Sequence, residues 1–185
     1  MEGDYHPRAV YRWYSADFLT NLCVRYGVDG LVFCGGEPGA WLEYVLDVFK
    51  AAEGKNLLRG TVISGLLEEA PAGELFELAD KVTIWIDSAY NEQEMSAALR
   101  TAEIGMRFPG KLEILWNMLA KKGPATMAQS LEFLQKLSAL CETNGCSREK
   151  LPLWIGGGAS REIQFSLREK AVRETEFKNC VIWTE

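Results

Sequence analysis

The sequence alternates regularly between apolar runs rich in β-branched and aromatic residues and stretches whose apolar residues recur three and four positions apart. The first pattern favours buried strands and the second favours amphipathic helices. Strands are predicted at 29–34, 59–64, 82–87, 111–116, 151–156 and 179–184, and helices at 15–26, 40–53, 72–80, 91–104, 125–144 and 161–173. Because strands that alternate with helices form βαβ units, the sequence predicts an α/β fold with a parallel sheet, open or closed into a barrel.

Composition narrows the class of protein. A net charge of −6 and a pI near 5.0 argue against nucleic acid or an anionic membrane as the main partner. No apolar run reaches the roughly 18 residues of a membrane span, and the first residues lack the features of a signal peptide. Five scattered cysteines indicate reduced thiols rather than a disulfide framework. We therefore expect one cytoplasmic domain, 1–185, with a tail at 1–8.

Glycines and polar residues stand directly after most of the predicted strands. These strand ends read Cys34-Gly35-Gly36-Glu37-Pro38, Ser64-Gly65, Asp87-Ser88, Trp116-Asn117 and Gly156-Gly157-Gly158. In parallel α/β folds, ligands bind at the carboxyl ends of the strands. The sequence therefore predicts a ligand site formed by these strand ends.

The stretch Gly35-Gly36-Glu37-Pro38 suits a ligand that carries an amine. Glycines let the backbone turn sharply and approach a ligand, and proline stiffens the exit toward the next helix. The Glu37 carboxylate can accept charge-assisted hydrogen bonds from an ammonium group. The alternative is a plain turn between strand and helix in which Glu37 caps the helix.

The residues around this stretch resemble a known family. The segment SADFLTNLCVRYGVDGLVFCGGEP and the helix WLEYVLDVFKAA after it are similar to radical S-adenosylmethionine (radical SAM) enzymes of the pyruvate formate-lyase-activating type. In that family a GGEP motif follows the second strand of a partial (β/α)6 barrel and binds the amino group of S-adenosylmethionine. VTIWIDSA stands where the family has its fourth strand with a terminal aspartate.

The resemblance implies a fold, cofactors and a partner. The fold is a partial parallel (β/α) barrel, the cofactors are S-adenosylmethionine and a [4Fe-4S] cluster, and the partner is a glycyl radical enzyme or another protein. Gly35, Gly36, Glu37 and Pro38 would hold the amino acid end of S-adenosylmethionine. The rest of the ligand would lie against Ser64, Asp87, Gly156, Gly157 and Gly158.

The chain departs from the family at the cluster motif. The family holds its [4Fe-4S] cluster with cysteines spaced C-x3-C-x2-C before the first helix, but here no cysteine precedes Cys23 and none are so spaced. Cys23 and Cys34 are interpreted as core residues. We therefore expect a truncated or degenerate family member that holds no metal of its own, and we assign no catalytic residue.

Two other functions fit the same residues. A cluster-free β/α-barrel enzyme would bind a phosphorylated small molecule through the glycine-rich loop at 156–161, where Arg161 stands close by. Alternatively, the chain is a non-catalytic partner subunit. The role of Asp87 is also open, because it either faces the barrel mouth or caps the next helix.

Three further expectations concern packing and pairing. Trp85, Trp116, Trp154 and Trp183 are interpreted as bulky core residues of the strands. His6 lies in the polar tail and is not expected to be catalytic. Residues 9–14 are predicted to replace the family's first strand and to pair with 29–34, because an open apolar edge invites association. Alternatively, the tail lies across the barrel mouth as a loop, or the edge stays open and pairs with a second copy to form a homodimer.

Overall fold

The computed structural model of the protein describes residues 14–35, 37–118, 127–158 and 160–183. Helices and strands alternate along this part of the chain. The helices are α1 (Ala16–Arg25), α2 (Leu42–Ala52), α3 (Glu69–Leu78), α4 (Glu92–Met106), α5 (Met127–Thr143) and α6 (Arg161–Thr175). The strands are β1 (Gly30–Phe33), β2 (Leu58–Ile63), β3 (Lys81–Asp87), β4 (Leu112–Met118), β5 (Leu153–Gly157) and β6 (Cys180–Ile182). A 3-10 helix, Pro38–Trp41, precedes α2.

The six strands form one all-parallel sheet in the order β1-β2-β3-β4-β5-β6. Each strand pairs with the strands before and after it in the chain, and a helix lies between each consecutive pair. The predicted α/β fold with a parallel sheet is therefore confirmed. The predicted strands agree with the observed ones to within about two residues at each end.

The helices cover one face of the sheet. Every second side chain of β3, from Val82 through Ile84 to Ile86, is fully buried in a cluster with apolar residues of α2 to α6. The residues between them, such as Thr83 and Trp85, point to the opposite face, since side chains alternate along a strand. Right-handed crossovers between sequentially ordered parallel strands bring the helices to the same side. No helix in the described ranges covers the other face, which is called the open face below.

Capping residues define both ends of α1. Ser15 caps α1, and its Oγ accepts a hydrogen bond of 3.2 Å from the Phe18 N–H. Gly27 follows α1 at a φ of +65°, a conformation that favours glycine. None of the described helices is long and apolar enough to cross a membrane.

The expectation that four strand tryptophans lie in the core is correct only for Trp116. Its ring is 1% exposed, stacks on Phe133 with centroids 4.3 Å apart, and donates from Nε1 to Ser130 Oγ at 3.1 Å. The expectation is wrong for Trp85, Trp154 and Trp183, which line the open face. Along the chain they alternate with the buried residues, so their side chains point away from the helices. No helix packs on that face in the described ranges.

The predicted strand at 9–14 lies outside the described residues except for Tyr14, and so does His6. Tyr14 stands before α1 without strand structure, and its carbonyl accepts a hydrogen bond of 2.9 Å from the Tyr44 hydroxyl. β1 ends the strand order on one side of the sheet. The proposed pairing of 9–14 with β1 therefore stays a prediction, as does the homodimer through that edge.

Candidate functional site

A cavity of about 850 Å³ lies on the open face of the sheet and reaches the carboxyl ends of its strands. This is the location at which parallel α/β folds bind ligands. Its walls combine carboxylates, aromatic rings, small polar groups and a few aliphatic side chains. They are formed by Val32, Cys34, Gly35, Glu37, Val62, Ile63, Ser64, Thr83, Trp85, Asp87, Tyr90, Glu113, Leu115, Asn117, Trp154 and Trp183.

The strand register arranges the inward-pointing residues in rows across the sheet. Asp87 on β3 pairs with Asn117 on β4, which pairs with Gly156 on β5. Two residues earlier in each strand, Trp85 pairs with Leu115, and Leu115 pairs with Trp154. A polar row at the strand ends therefore lies above a row that is mainly aromatic and apolar.

Glu37 stands at the end of β1 with both carboxylate oxygens held by backbone amides. Oε1 accepts from Gly39 N–H at 2.9 Å, and Oε2 accepts from Ser64 N–H at 3.2 Å. The first bond caps the 3-10 helix, as the alternative interpretation of the motif expected, and Pro38 is buried at its start. The half-buried carboxylate also lines the cavity. Because two carboxylate oxygens offer about four acceptor positions, Glu37 keeps capacity for a ligand.

Gly35 leaves the backbone beside Glu37 uncovered. It has a φ of +79°, and no atom lies within 4 Å of the position that a Cβ would take. A side chain here would therefore meet backbone strain, whereas glycine lets the cavity reach the main chain. Gly36 lies outside the described residues.

Ser64 and Tyr90 connect the ends of β2 and β3. The Tyr90 hydroxyl donates to the Ser64 carbonyl at 3.1 Å and lies 3.3 Å from the Trp85 carbonyl. Burial raises the pKa of the Tyr90 phenol to about 12, and the negative charges of Glu37 and Asp87 add to that rise. The phenol therefore stays neutral near pH 7 and keeps its proton for the hydrogen bond to the Ser64 carbonyl.

Asp87 faces the cavity rather than capping α4. Its Oδ1 accepts from the Ala89 N–H at 2.8 Å, and its Oδ2 lies 3.4 Å from Asn117 Nδ2. The cap of α4 is Asn91, which forms a capping box with Glu94. Of the two roles that the sequence left open for Asp87, the structure supports the position at the mouth of the site.

The structure does not bring Gly156, Gly157 or Gly158 into the cavity wall. A Cβ on Gly156 would lie 3.4 Å from the Trp183 side chain, so the tryptophan lies against this glycine. Gly157 has a φ of +100°, and its Cβ would lie 2.4 Å from Asn117 Oδ1 and 2.5 Å from the Met118 carbonyl oxygen. Close packing of β5 against β4 explains the second glycine without a ligand.

The sequence interpretation missed the tryptophans of the cavity and the Glu113 carboxylate. The rings of Trp85 and Trp183 meet edge to face with centroids 5.7 Å apart, and Trp154 lies between their strands on the same side. One signal was present in the sequence, because Trp85 stands two residues before Asp87 and must share its face in a strand.

The described lining of the cavity carries negative charge. Glu37, Asp87 and Glu113 line it, whereas no lysine or arginine is found among its described lining residues. Glu113 lies 3.4 Å from Lys81 Nζ and 3.3 Å from the Thr83 hydroxyl, so the charge of this one carboxylate is partly balanced. Such a lining favours a cationic ligand over an anionic one.

The cysteines do not fit an iron–sulfur cluster. All five lie in the described ranges: Cys23, Cys141 and Cys180 are buried, Cys146 is half-buried, and Cys34 is exposed. The expectation of a buried Cys34 is wrong, because it follows β1 two positions after Val32 and shares the open face with it. Within the described ranges, no three His, Cys, Asp or Glu side chains are arranged to hold a metal ion. We therefore derive no reaction step through a cluster.

No protein-family model and no curated protein matches the sequence. The features of the chain that bear on function are therefore the cavity, its charge and the resemblance of the Gly-Gly-Glu-Pro stretch.

Proposed function

We propose that the chain binds S-adenosylmethionine in the cavity, as a degenerate relative of the radical SAM activating enzymes that holds no iron–sulfur cluster of its own. The observation that carries the proposal is the position of Glu37. The glutamate of the Gly-Gly-Glu-Pro stretch lines the cavity at a strand end, as the resemblance implies for a residue that pairs with the ligand ammonium.

Charge supports this choice of ligand. The cavity presents three carboxylates and no described basic residue. S-adenosylmethionine carries an ammonium, a sulfonium and one carboxylate, so its net charge is positive and its two cationic groups suit this lining. Carboxylate–ammonium hydrogen bonds are among the stronger ones in proteins. The aromatic wall offers apolar surface to adenine, and the volume of about 850 Å³ is within the usual range of small-molecule sites.

The sheet supports the same assignment. A partial (β/α)6 barrel has parallel strands in sequential order, helices on the outside and the ligand on the inside. The described sheet has this strand order, with its helices on one face and the cavity on the other. We propose further that this sheet curves into a partial barrel around the cavity.

The chemistry that we propose is binding without reductive cleavage. The family's radical reaction needs three thiolates around a cluster, and only Cys34 of the five cysteines lines the cavity. The role that suits this arrangement is that of a regulator, or of a subunit that acts beside a catalytic partner protein. The acidic lining disfavours a phosphorylated ligand in the cavity, and the test below includes one.

The experiment is calorimetric titration of the purified chain with S-adenosylmethionine and with glucose 6-phosphate. We expect S-adenosylmethionine to bind, and Glu37→Gln to weaken binding by about 1.5–3 kcal/mol, since the ammonium loses a charged acceptor. Glu43→Gln, which changes an exposed carboxylate on α2 outside the cavity, serves as the matched control. Equal affinities of the wild type and Glu37→Gln, or binding of the sugar phosphate alone, would overturn the proposal.

A further inference from the structure

We propose that Trp85 and Trp183 recognise the positive charge of the ligand, with Asp87 as the carboxylate beside them, so that the cavity selects sulfonium cations over their neutral thioether counterparts. This inference rests on the proposed binding of S-adenosylmethionine and names the residues that contact its sulfonium group. The closing experiment separates the two proposals.

The rings of Trp85 and Trp183 meet although their backbones are well separated. Trp85 lies on β3 and Trp183 follows β6, so about three strand spacings of 4.8 Å separate their backbones. The rings nevertheless meet with centroids 5.7 Å apart and planes at 82°. Both side chains therefore reach across the open face above β4 and β5. An edge-to-face pair leaves ring faces that the other ring does not cover, and such faces attract cations within about 6 Å.

Gly156 provides room for the Trp183 ring. This residue takes an inward position on β5, in the same row as Asp87 and Asn117. Its Cβ would touch Cβ and Cε3 of Trp183 at 3.4 Å, an ordinary contact distance. Glycine thus lets the indole lie close to the sheet and point toward Trp85. A larger side chain at 156 would displace the ring, which makes Gly156 a positioning residue for Trp183.

The charged residues in the described lining around the rings are carboxylates. Asp87 stands two residues after Trp85 on the same face of β3, and Glu113 lies on the neighbouring strand. Among the described residues, a cation lies over an aromatic ring at Lys111 and Phe108, outside the cavity lining. No described lysine or arginine of the chain therefore occupies the position that we assign to the ligand.

Selectivity follows from this arrangement. S-adenosylmethionine and S-adenosylhomocysteine differ by one methyl group and one positive charge, so Glu37 contributes equally to both. Ring faces and a nearby carboxylate contribute only to the sulfonium. A cation–π contact of ordinary strength, together with Asp87, gives about a tenfold preference for the sulfonium form.

The test is calorimetric titration of both ligands into the wild type, Trp183→Leu, Trp183→Phe and Gly156→Val. We expect about a tenfold preference for S-adenosylmethionine in the wild type, and less than about threefold in Trp183→Leu and Gly156→Val. Trp183→Phe should retain part of the preference, because phenylalanine keeps a ring face. Phe165→Leu, at an exposed ring on α6 outside the cavity, should retain all of it.

The outcomes distinguish the two proposals. Binding of both ligands to the wild type with equal affinity overturns the inference and leaves the proposed function standing. A preference that Trp183→Leu and Gly156→Val both keep overturns the assignment to the ring pair. If neither ligand binds, the proposed function fails. Titration with trimethylsulfonium then decides the inference alone. Quenching of the tryptophan fluorescence that Trp183→Leu loses supports it, and quenching that is absent from the wild type, or that Trp183→Leu keeps in full, overturns it. Because the wild-type ratio is itself decisive, a variant that does not fold leaves the test intact.

Discussion

The Glu37 carboxylate joins the ends of two neighbouring strands, since its Oε2 accepts a hydrogen bond of 3.2 Å from the backbone N–H of Ser64. Its Oε1 accepts from Gly39 N–H at 2.9 Å in the turn that starts the next helix. One side chain therefore fixes the turn after β1, ties it to the end of β2 and presents a negative charge to the cavity. This arrangement predicts that Glu37 has a structural role in addition to the proposed binding role.

Replacement of Glu37 by alanine removes both acceptors and leaves two backbone amides without their partner. We expect the free energy of unfolding to fall by about 1–3 kcal/mol, the usual effect of losing hydrogen bonds to a charged group. Glu37→Gln keeps one amide oxygen as an acceptor and should lose less. Urea denaturation of the three proteins measures both effects. An alanine variant as stable as the wild type would show that the two bonds do not stabilise the turn.

Gly157 and Gly156 should respond very differently to the same substitution. At Gly157 a Cβ meets Asn117 Oδ1 at 2.4 Å and Met118 backbone atoms at 2.5 and 2.7 Å, and the φ of +100° strains any L side chain. We expect Gly157→Ala to destabilise the fold by about 2–4 kcal/mol, which combines backbone strain with overpacking.

Gly156→Ala is the matched control, because its Cβ reaches only an ordinary contact of 3.4 Å with Trp183. It should change the free energy of unfolding by less than about 1 kcal/mol. Thermal or urea unfolding of the two variants gives the comparison. Similar losses at both positions would mean that the close packing of β5 on β4 is not what requires glycine at 157.

The periodicity of the sequence predicted the order of helices and strands because local patterns decide those elements. It did not predict which face of each strand a helix covers, since the run from Val82 to Ile86 is apolar or β-forming at every position. Only the assembled sheet separates Ile84 and Ile86, buried under helices, from Trp85 on the open face. Trp116 was predicted correctly to lie in the core, because its side chain points to the face of β4 that the helices cover.

The candidate site was predicted at the strand ends but not in its full composition. Glu37, Ser64 and Asp87 come together because parallel strands end at one edge of the sheet. The glycines at 156–158 looked like a ligand loop, whereas the structure explains two of them by packing against Trp183 and Asn117. Such contacts join residues far apart in sequence, so no local sequence pattern predicts them.

The Arg59–Asp80 pair makes stability depend on pH in the acidic range. Hydrogen bonds from the Arg59 guanidinium lower the pKa of the Asp80 carboxyl. The backbone N–H of Arg59 also donates to this carboxyl, at 2.8 Å. A lowered pKa in the folded state means that this stabilisation is present above the unfolded pKa of about 3.9 and is lost as pH falls through the folded value.

We expect Asp80→Asn to lower the free energy of unfolding by about 1 kcal/mol at neutral pH, a modest value because the pair is partly exposed. The difference between the wild type and the variant should shrink below about pH 4. Urea unfolding at a series of pH values tests this. If the difference in free energy of unfolding stays constant down to pH 2, the stabilisation does not come from the ionised Asp80 carboxylate.

Tyr90 should make the wild type more sensitive to alkali than Tyr90→Phe. Burial raises the pKa of its phenol to about 12, above the unfolded value of about 10. The stabilisation of the neutral form is therefore fully present below about pH 10 and is lost as pH rises toward 12. Stability of the two proteins, compared between pH 9 and 11.5, should converge with rising pH. Parallel curves would show that Tyr90 titrates as an exposed phenol does.

Cys34 should be the most rapidly alkylated thiol of the chain. It is exposed and lines the cavity, whereas Cys23, Cys141 and Cys180 are buried. Burial also raises the pKa of Cys141 to about 12 and that of Cys180 to about 11, so little reactive thiolate forms at either. Iodoacetamide labelling followed by peptide mass analysis should therefore find one fast site, and Cys34→Ser should remove it.

The same thiol reports on occupancy of the cavity. Cys34 immediately precedes Gly35 in the cavity wall, close to the carboxylate that we assign to the ligand ammonium. Saturating S-adenosylmethionine should slow its alkylation several-fold, since a bound ligand covers the sulfur. The half-buried Cys146, which is outside the cavity lining, supplies an internal reference whose slower labelling should not change. Unchanged labelling of Cys34 at a concentration that calorimetry shows to be saturating would place the bound ligand away from β1.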